Sequence, residues 1–426
     1  MRAAATGVAI SSKPASSPAR HASKPAFAMP SAVCAARVMV VVDGVGSVSR
    51  PAHAAAATST STAAARRVER IRAVWQTALS SPPMSAPPLV DPARLGPWLD
   101  AQELDPGAPL EVERITTGHS NEVFLVRRGD TELVLRRPPR TPLSPTAHDM
   151  AREYRLLTAF SEHGAQVPVP RPLGLCVDPD TLGAPFYVME RVDGLVVRES
   201  LPEPYTASPD APAALADALV DLLAGIHAFD WRAGGLDGFG RPEGYLDRQV
   251  PRWLGQLERY KTREIPEVEE AGRWLAAHTP PMQAPTVIHG DYKLDNVMFA
   301  AALPVAPVAV LDWEQATIGD PLVDLGWLLG LWLDPGETAS LFGGANLALL
   351  GHGPVPSRAE LTERYAAATG RDVTHVGFYC VLGLFKLACV MEGSYARFRA
   401  GTSDDAMFAL LETGVPALAR RALEFT

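Results

Sequence analysis

Apolar and polar residues alternate along three short segments near the start of the patterned part of the chain, at residues 111–115, 123–127 and 132–136. A period of two places alternate side chains on opposite faces, so each segment is typical of a half-buried β-strand. Gly129 and Asp130 separate the second segment from the third and favour a tight turn. The pattern predicts a three-stranded antiparallel sheet.

Helical spacing of apolar residues dominates the remainder of the chain. Leu219, Leu222, Leu223 and Ile226 share one face of a predicted helix at residues 213–229. The same spacing predicts helices at residues 95–102, 148–163, 252–260, 267–277 and 322–333, and three more between residues 358 and 425. Short apolar runs predict buried strands at residues 186–189, 287–288, 297–299 and 308–311.

The order of these elements indicates the fold class. Strands come first and helices come later, with the change near residue 190. This order predicts an α+β fold with two lobes. Residues 84–190 would form a small β-rich lobe, and residues 191–426 a larger, mainly helical one.

Residues 1–83 differ in composition from the rest of the chain. They are rich in Ala, Ser, Thr, Pro and Arg, show little periodicity, and carry ten basic and two acidic residues. Such a segment cannot bury a core, so we expect a disordered tail. A basic, acid-poor tail is also compatible with a transit peptide. The composition break favours a simpler explanation, in which translation starts at Met84.

The charge of the chain is uneven, with a net value of −9. Beyond residue 83, 29 basic and 46 acidic residues give −17, which argues against a nucleic-acid partner. An acidic body is compatible with a cationic substrate but does not select one.

The four cysteines and the lengths of the apolar runs bear on location. No two cysteines form a Cys-x-x-Cys pair, and Cys380 and Cys389 fall in a predicted helix. Buried, reduced thiols are the expected state, which favours the cytoplasm. No apolar run reaches the length that we expect of a membrane span, so we predict no membrane partner.

The most informative feature is a group of polar residues between the short apolar runs of the second lobe. Asp291 is followed five positions later by Asn296, and Asp312 comes directly after the apolar run at residues 308–311. Phosphoryl transfer needs one carboxylate to accept the proton of the attacking hydroxyl, and hard oxygen ligands to hold Mg²⁺ on the nucleotide phosphates. The tripeptide at residues 289–291 alone would be an ordinary turn, but the combined spacing favours a phosphotransferase.

These segments resemble the catalytic motif of the aminoglycoside phosphotransferase family, small-molecule kinases related in fold to protein kinases. The resemblance covers about residues 95–420 and implies a bilobal, protein-kinase-like fold. It also implies that Asp291 is the catalytic base, that Asn296 and Asp312 bind the metal, and that His289 braces the loop.

Two more residues near this motif match positions with known roles. Lys293 lies two residues after the base, where many protein kinases have a phosphate-contacting lysine; a surface lysine is the alternative. Asp324 matches the residue that braces the catalytic loop in the family, although it could simply favour a helix N-terminus.

The rest of a nucleotide site can be matched in the first lobe. The turn before the second strand resembles the Gly-x-Ser-Asn nucleotide loop of the family, with Gly118, Ser120 and Asn121 near the phosphates. Arg136 on the third strand and Glu153 on the next helix match the phosphate-binding cation and its partner. The family often has Lys at this position, so Arg136 keeps the charge with a different geometry. A solvent-facing salt bridge is the alternative interpretation.

The segment at residues 189–194 resembles the hinge between kinase lobes. The resemblance implies that adenine would bond to the backbone between Glu190 and Val192. We expect the Glu190 side chain itself to be solvated, and Gly194 to let the chain turn.

Taken together, the motifs predict an enzyme that uses ATP and Mg²⁺ to phosphorylate a hydroxyl group of a small molecule. GTP stays open as the donor, and the substrate and oligomeric state are undetermined. The branch of the family linked to acyl-CoA dehydrogenases looks most similar, which implies hydroxyacyl substrates. Acceptor contacts are expected from residues 236–260 and 331–358.

Two rival functions can be weighed on the same residues. Against a protein kinase acting on a protein, Gly290 stands where an Arg reads activation-loop phosphate, and Trp313-Glu314 replaces Phe-Gly. A nucleotide-binding pseudokinase that serves as a regulatory module is favoured only by Arg136.

Overall fold

The structure is a computed structural model, and it describes residues 88–115, 121–140, 148–164, 166–338, 344–403 and 405–426. The predicted tail at residues 1–83 and Met84 lie outside the described residues. In the described ranges an antiparallel sheet is followed by a mainly helical part, which confirms the predicted α+β architecture. The exact lobe boundary at residue 190 stays a prediction.

Five antiparallel strands form the sheet of the first lobe, in the order β1-β2-β3-β5-β4. The sequence predicts β1, β2 and β3 as a sheet and β5 as a further strand. Their bounds are β1 Leu110–Ile115, β2 Glu122–Arg128, β3 Thr131–Arg137, β4 Pro172–Cys176 and β5 Phe186–Glu190. Gly129 has the positive φ, 55°, that favours glycine in the turn between β2 and β3. The sequence pattern misses β4 because Pro172 and Gly174 interrupt its alternation, and the register shifts between them.

One face of this sheet packs against helix α1, Pro92–Ala101. Leu95 and Leu99 of α1 are fully buried and share an apolar cluster with Val126 and Leu135 of the sheet. The alternating pattern of β2 and β3 therefore places the apolar side chains of one sheet face against a covering helix, as the sequence predicts for half-buried strands.

The second lobe is built from helices around a long central one. Besides α1, two helices of the described ranges precede residue 190, α2 Met150–His163 and α3 Pro179–Leu182. Those of the second lobe are α4 Ala211–Ala228, α5 Gln249–Tyr260, α6 Pro266–Ala277, α7 Leu322–Gly330, α8 Arg358–Thr369, α9 Val376–Arg399 and α10 Leu411–Leu423. Helix α9 packs against α5, α6, α7 and α10. Its Cys380 and Cys389 are buried free thiols, as the sequence predicts.

Short strands hold the loops of the second lobe. Their bounds are β6 Leu195–Val196, β7 Thr286–Ile288, β8 Val297–Phe299, β9 Pro307–Val310 and β10 Thr317–Gly319. The predicted strands around residue 290 are confirmed, but they do not form one hairpin. Strand β8 pairs with β6 and β9, whereas β7 pairs with β10. The loop at residues 289–296 is therefore fixed at its two ends by two different small sheets.

In the part of the chain that the structure describes, two helices are long and apolar enough to cross a membrane by length and composition, so the sequence-based expectation about run length is wrong. These are α4 and α9, and the apolar windows are 61% and 83% buried inside the protein. Core helices of globular proteins pass the same test, because burial against other helices also selects apolar residues.

Candidate active site

The loop after β7 has its backbone held by a buried carboxylate from α7. Asp324 accepts hydrogen bonds from the backbone N–H of His289 (2.6 Å) and of Gly290 (2.8 Å). Gly290 has φ 83°, and a Cβ there would lie 2.8 Å from the carbonyl oxygen of Gln315. Only glycine fits this position without strain, so the backbone in front of Asp291 is fixed.

His289 is fully buried and serves this loop with both ring nitrogens. Its Nε2 lies 2.8 Å from the carbonyl oxygen of Leu311, and its Nδ1 accepts from the backbone N–H of Asp291 at 3.2 Å. A ring that donates from Nε2 and accepts at Nδ1 is neutral. These contacts suit a residue that braces the loop, and they leave no ring nitrogen for proton transfer.

Asp291 is buried at the centre of the site. The Asn296 amide donates to its backbone oxygen at 2.8 Å and to its Oδ2 at 3.2 Å. The Oδ1 atom is buried without a hydrogen-bond partner among the described residues. Burial raises the pKa of Asp291, and the nearby Lys293 ammonium opposes this rise. A carboxylate with one oxygen held and one oxygen unpartnered is suited to accept a proton.

Lys293 is not a surface lysine, since its side chain is 4% exposed. Its Nζ lies 3.5 Å from a carboxylate oxygen of Asp291 and 3.5 Å from one of Asp295. Burial alone would lower the pKa of Lys293, but these two carboxylates outweigh it and raise the pKa. The lysine therefore stays charged beside the proposed base.

Asn296 and Asp312 lie at the same end of the β8–β9 hairpin. Strand pairing sets Val297 opposite Val310, and the N–H of Leu311 donates to the carbonyl oxygen of Asn296 at 2.9 Å. Asp312 comes next and has a left-handed backbone, φ 64° and ψ 59°. This conformation is uncommon outside glycine, and Asp is among the residues that tolerate it.

The oxygens of these two residues fit a hard divalent cation such as Mg²⁺. The Asn296 amide nitrogen faces Asp291, which leaves its oxygen for a metal, and the ion pair of Asp312 uses Oδ1, which leaves Oδ2. In the described part of the chain no group of three or more His, Cys, Asp or Glu residues could hold a metal. A metal here would need phosphate and water oxygens to complete its shell.

Arg136 from β3 reaches across to the second lobe and meets three carboxylates. Its Nε lies 3.1 Å from Glu153, and its Nη2 lies 2.5 Å from Asp312 and 3.6 Å from Glu314. The Arg136 side chain is 11% exposed and that of Glu153 is 3% exposed, so this pair is not the solvent-facing salt bridge of the alternative interpretation. Burial disfavours the charged forms of Arg136, Glu153 and Asp312. Asp312 nevertheless has a lowered pKa, because Arg136 stabilises its charged form.

A polar cluster beside Arg136 escaped the sequence analysis. Glu314 accepts from the Asn121 amide at 2.8 Å, and the Asn121 oxygen lies 2.7 Å from His148 Nδ1. Glu314 is placed by a short 3-10 helix at Trp313–Gln315, and His148 has a positive φ of 67°. No spacing rule connects these three residues in sequence, although the position of Glu314 directly after the Asp312-Trp313 pair was a usable signal.

The nucleotide loop and the hinge are the two remaining parts of the predicted nucleotide site. Gly118 and Ser120 lie outside the described residues, whereas Asn121 takes the contacts given above. The Glu190 side chain is 39% exposed, and it accepts from the backbone N–H of Arg171 at 3.1 Å. The N–H of Glu190 donates to the Arg171 carbonyl, and Val192 is partly buried in the connection after β5.

One cation of the site was missed entirely. Lys386 lies in the middle of α9 and donates to the carbonyl oxygen of Gly290 at 2.7 Å and to Gln315 Oε1 at 2.9 Å. It is 96 positions from Gly290 in sequence, so periodicity marks it only as one polar residue in an apolar helix. That interruption was the available signal.

A model of the phosphotransferase enzyme family matches residues 111–364. Acyl-CoA dehydrogenase family member 11 from Gallus gallus is 36% identical over 325 residues, which are 75% of this chain and 41% of that protein. Acyl-CoA dehydrogenase family member 10 from Mus musculus is 34% identical over 302 residues, 70% of this chain and 27% of that protein. The chain therefore spans less than half the length of these relatives.

Solved structures resemble more than three quarters of this chain. A candidate aminoglycoside phosphotransferase from Ralstonia eutropha has 31% identity and a TM-score of 0.66, over 79% of this chain and 98% of that chain. The GDP complex of aminoglycoside 2'-phosphotransferase-IIIa has 17% identity and a TM-score of 0.51, over 78% and 99%. These likenesses confirm the bilobal kinase-like fold.

Proposed function

Because the chain belongs to the phosphotransferase enzyme family, we propose that it transfers the terminal phosphoryl group of ATP to a hydroxyl group of a small molecule. The observation that carries this proposal is the buried Asp291, with Oδ1 unpartnered and Oδ2 held by Asn296. GTP stays open as the alternative phosphoryl donor.

Each residue of the site has a part in this reaction. Asp291 accepts the proton of the acceptor hydroxyl as the phosphoryl group is transferred, and Lys293 keeps that region positive for phosphate oxygens. Arg136, oriented by Glu153, would contact the phosphates. Mg²⁺, held by Asn296 and Asp312, would neutralise charge on the phosphates.

The acceptor class and the location of the protein are finer proposals. Two similar proteins are named as acyl-CoA dehydrogenase family members, so hydroxyacyl compounds are the first acceptors to test. Free buried thiols at Cys176, Cys380 and Cys389 support a cytoplasmic location.

Asp291→Asn tests the proposal directly. The amide keeps the shape but cannot accept the proton, so turnover should fall by about 10²–10⁴-fold. Affinity for ATP should stay within about threefold, because the base acts in the transition state. Transfer of radiolabelled phosphate to a panel of hydroxyl compounds and to proteins, with calorimetry of ATP binding, measures both.

The fold should not suffer in this variant. The folded-state pKa of Asp291 is raised, so its contribution to stability is present below the ordinary carboxyl pKa and is lost as the pH rises through the folded-state value. At pH 7 the variant should therefore melt no lower than the wild type. Wild-type turnover in Asp291→Asn would remove the residue from the mechanism, and ATP binding without any turnover in the wild type would support the pseudokinase.

A further inference from the structure

Lys386 is a charged group whose partners in the described structure are neutral. Its ammonium donates to a backbone carbonyl, that of Gly290, and to the side-chain amide of Gln315. Among the described residues no carboxylate lies within ion-pair distance of it. An ammonium has three N–H donors, so one remains for another acceptor. A partly buried ammonium that has no carboxylate in direct contact is stabilised by a ligand that supplies one.

The surroundings of Lys386 present two further hydrogen-bond donors. The rings of Trp327 and Trp253 lie 4.7 Å and 5.8 Å from its Nζ. Both indole nitrogens are buried and lack a hydrogen-bond partner among the described residues. Buried N–H groups without partners are rare in proteins, and a bound molecule is one of their ordinary explanations.

Burial and the charged groups around Lys386 act on its ammonium in both directions. Burial lowers the pKa of Lys386 to about 8; Asp291 and Asp324 oppose this shift, and Arg252 and Lys293 add to it. Its contacts all come from the second lobe, whereas the phosphate-side cation Arg136 comes from β3. Because Lys386 is bonded to Gly290, the residue directly before Asp291, we take the region that it faces as the acceptor side of the site.

We propose that Lys386, between Trp253 and Trp327, binds an anionic oxygen group of the acceptor and makes the enzyme select hydroxylated carboxylates or phosphate monoesters over amino alcohols. This inference rests on the proposed function, since it takes the region beside Asp291 as the acceptor site. It sets this chain apart from a kinase for cationic acceptors, which an acidic net charge alone would have allowed.

Binding of four matched probes tests the proposal without any need for turnover. The probes are 3-hydroxybutyrate, 3-hydroxybutyl phosphate, 4-amino-2-butanol and 1,3-butanediol, titrated against the full chain with ADP and Mg²⁺ by ligand-observed NMR. The two anions should bind at least tenfold tighter than the amine and the diol. A hydrogen bond to a charged group corresponds to about ten- to a hundredfold in affinity.

Variants of Lys386 then identify the source of the preference. Lys386→Met keeps the length of the side chain without its charge and should lower the affinity for both anions to that of the diol. Lys386→Arg should retain part of the preference. Lys261→Met is the matched control, because this lysine pairs with Glu258 on the surface of α5 and should leave all four affinities unchanged.

The outcomes separate this inference from its alternatives. Equal weakening of all four probes in Lys386→Met would mean that the lysine only positions the Gly290 carbonyl, and would overturn the proposal. Absence of any anion preference in the wild type would overturn it as well. A preference that is present while no hydroxyl compound is ever phosphorylated would leave the anion site standing and refute the proposed function. A larger loss of affinity for the phosphate ester than for the carboxylate in Lys386→Met would support the proposal and identify the phosphate ester as the favoured anion.

Discussion

At the scale of single residues, the site is dominated by one guanidinium that compensates several buried carboxylates. Arg136 contacts Glu153, Asp312 and Glu314, and it belongs to β3 whereas two of its partners belong to the second lobe. Burial opposes the charge of Arg136, but the carboxylates outweigh it and raise its pKa. Removing such a partner leaves several buried charges without compensation.

Arg136→Ala should therefore cost about 3–5 kcal/mol of unfolding free energy, the range found when one member of a buried ion pair is removed. Arg136→Lys should cost less, because it keeps the charge but cannot reach three carboxylates with one planar group. Urea denaturation followed by fluorescence measures both values. Nucleotide affinity should fall in the same order.

The matched control for this change is Arg127→Ala on the neighbouring strand. Arg127 pairs with Glu113 and Glu132 at the surface, where solvent screens the interaction, so little change in stability is expected. If Arg136→Ala were as mild as Arg127→Ala, the Arg136 cluster would not be a compensated buried network.

At the scale of elements, the approach of α7 to α9 sets the distance between the loop-bracing Asp324 and Lys386. Gly326, two residues after Asp324, lies against the backbone of Tyr379 in α9. A Cβ on Gly326 would be 2.6 Å from the Tyr379 carbonyl oxygen and closer still to its carbonyl carbon. Because the obstacle is backbone, it cannot move aside as a flexible side chain would.

Gly326→Ala should thus destabilise the protein, since the two helices must separate, and it should lower turnover as Asp324 and Lys386 shift. Gly255→Ala in α5 is the control, because nothing lies within 4 Å of a Cβ there. That change should stabilise the helix by up to about 1 kcal/mol through better helix propensity. Thermal melting of the two variants in opposite directions is the expected result; a neutral Gly326→Ala would mean that the helices pack less closely.

At the scale of the whole molecule, helix α2 ties the two lobes together. Its Leu156 and Phe160 belong to the apolar cluster of the second lobe. Arg152 of the same helix donates to the carbonyl oxygens of Phe239 and of Ala316, the latter at 2.8 Å. The helix that carries Glu153 is thus anchored on the side opposite the sheet.

This anchoring predicts that both lobes unfold in one cooperative transition. Scanning calorimetry should give a calorimetric enthalpy equal to the van't Hoff enthalpy, as expected for two-state behaviour. Arg152→Ala should weaken the coupling and broaden or split the transition. Arg114→Ala, which removes an exposed pair with Glu122 inside the sheet, should leave a single transition. Two transitions in the wild-type protein would contradict the coupling.

The sequence by itself determined the order and type of most elements and the residues of the proposed catalytic loop. Strand alternation and helical spacing are local signals, and they place β1, β2, β3 and most helices within a few residues of their observed ends, although the short helix α3 was not predicted. Asp291, Asn296 and Asp312 are recognisable because their spacing along the chain reflects one continuous loop and hairpin.

Tertiary structure alone decided what surrounds those residues. Glu314 and Asn121 are 193 positions apart and are hydrogen-bonded neighbours only because the two lobes pack against each other. Lys386 reaches Gly290 only because α9 crosses α7 closely at Gly326. Charge compensation, burial and the proposed acceptor contact depend on such distant pairs. Local periodicity does not record these pairs, because close packing of the folded chain brings together residues that lie far apart in sequence.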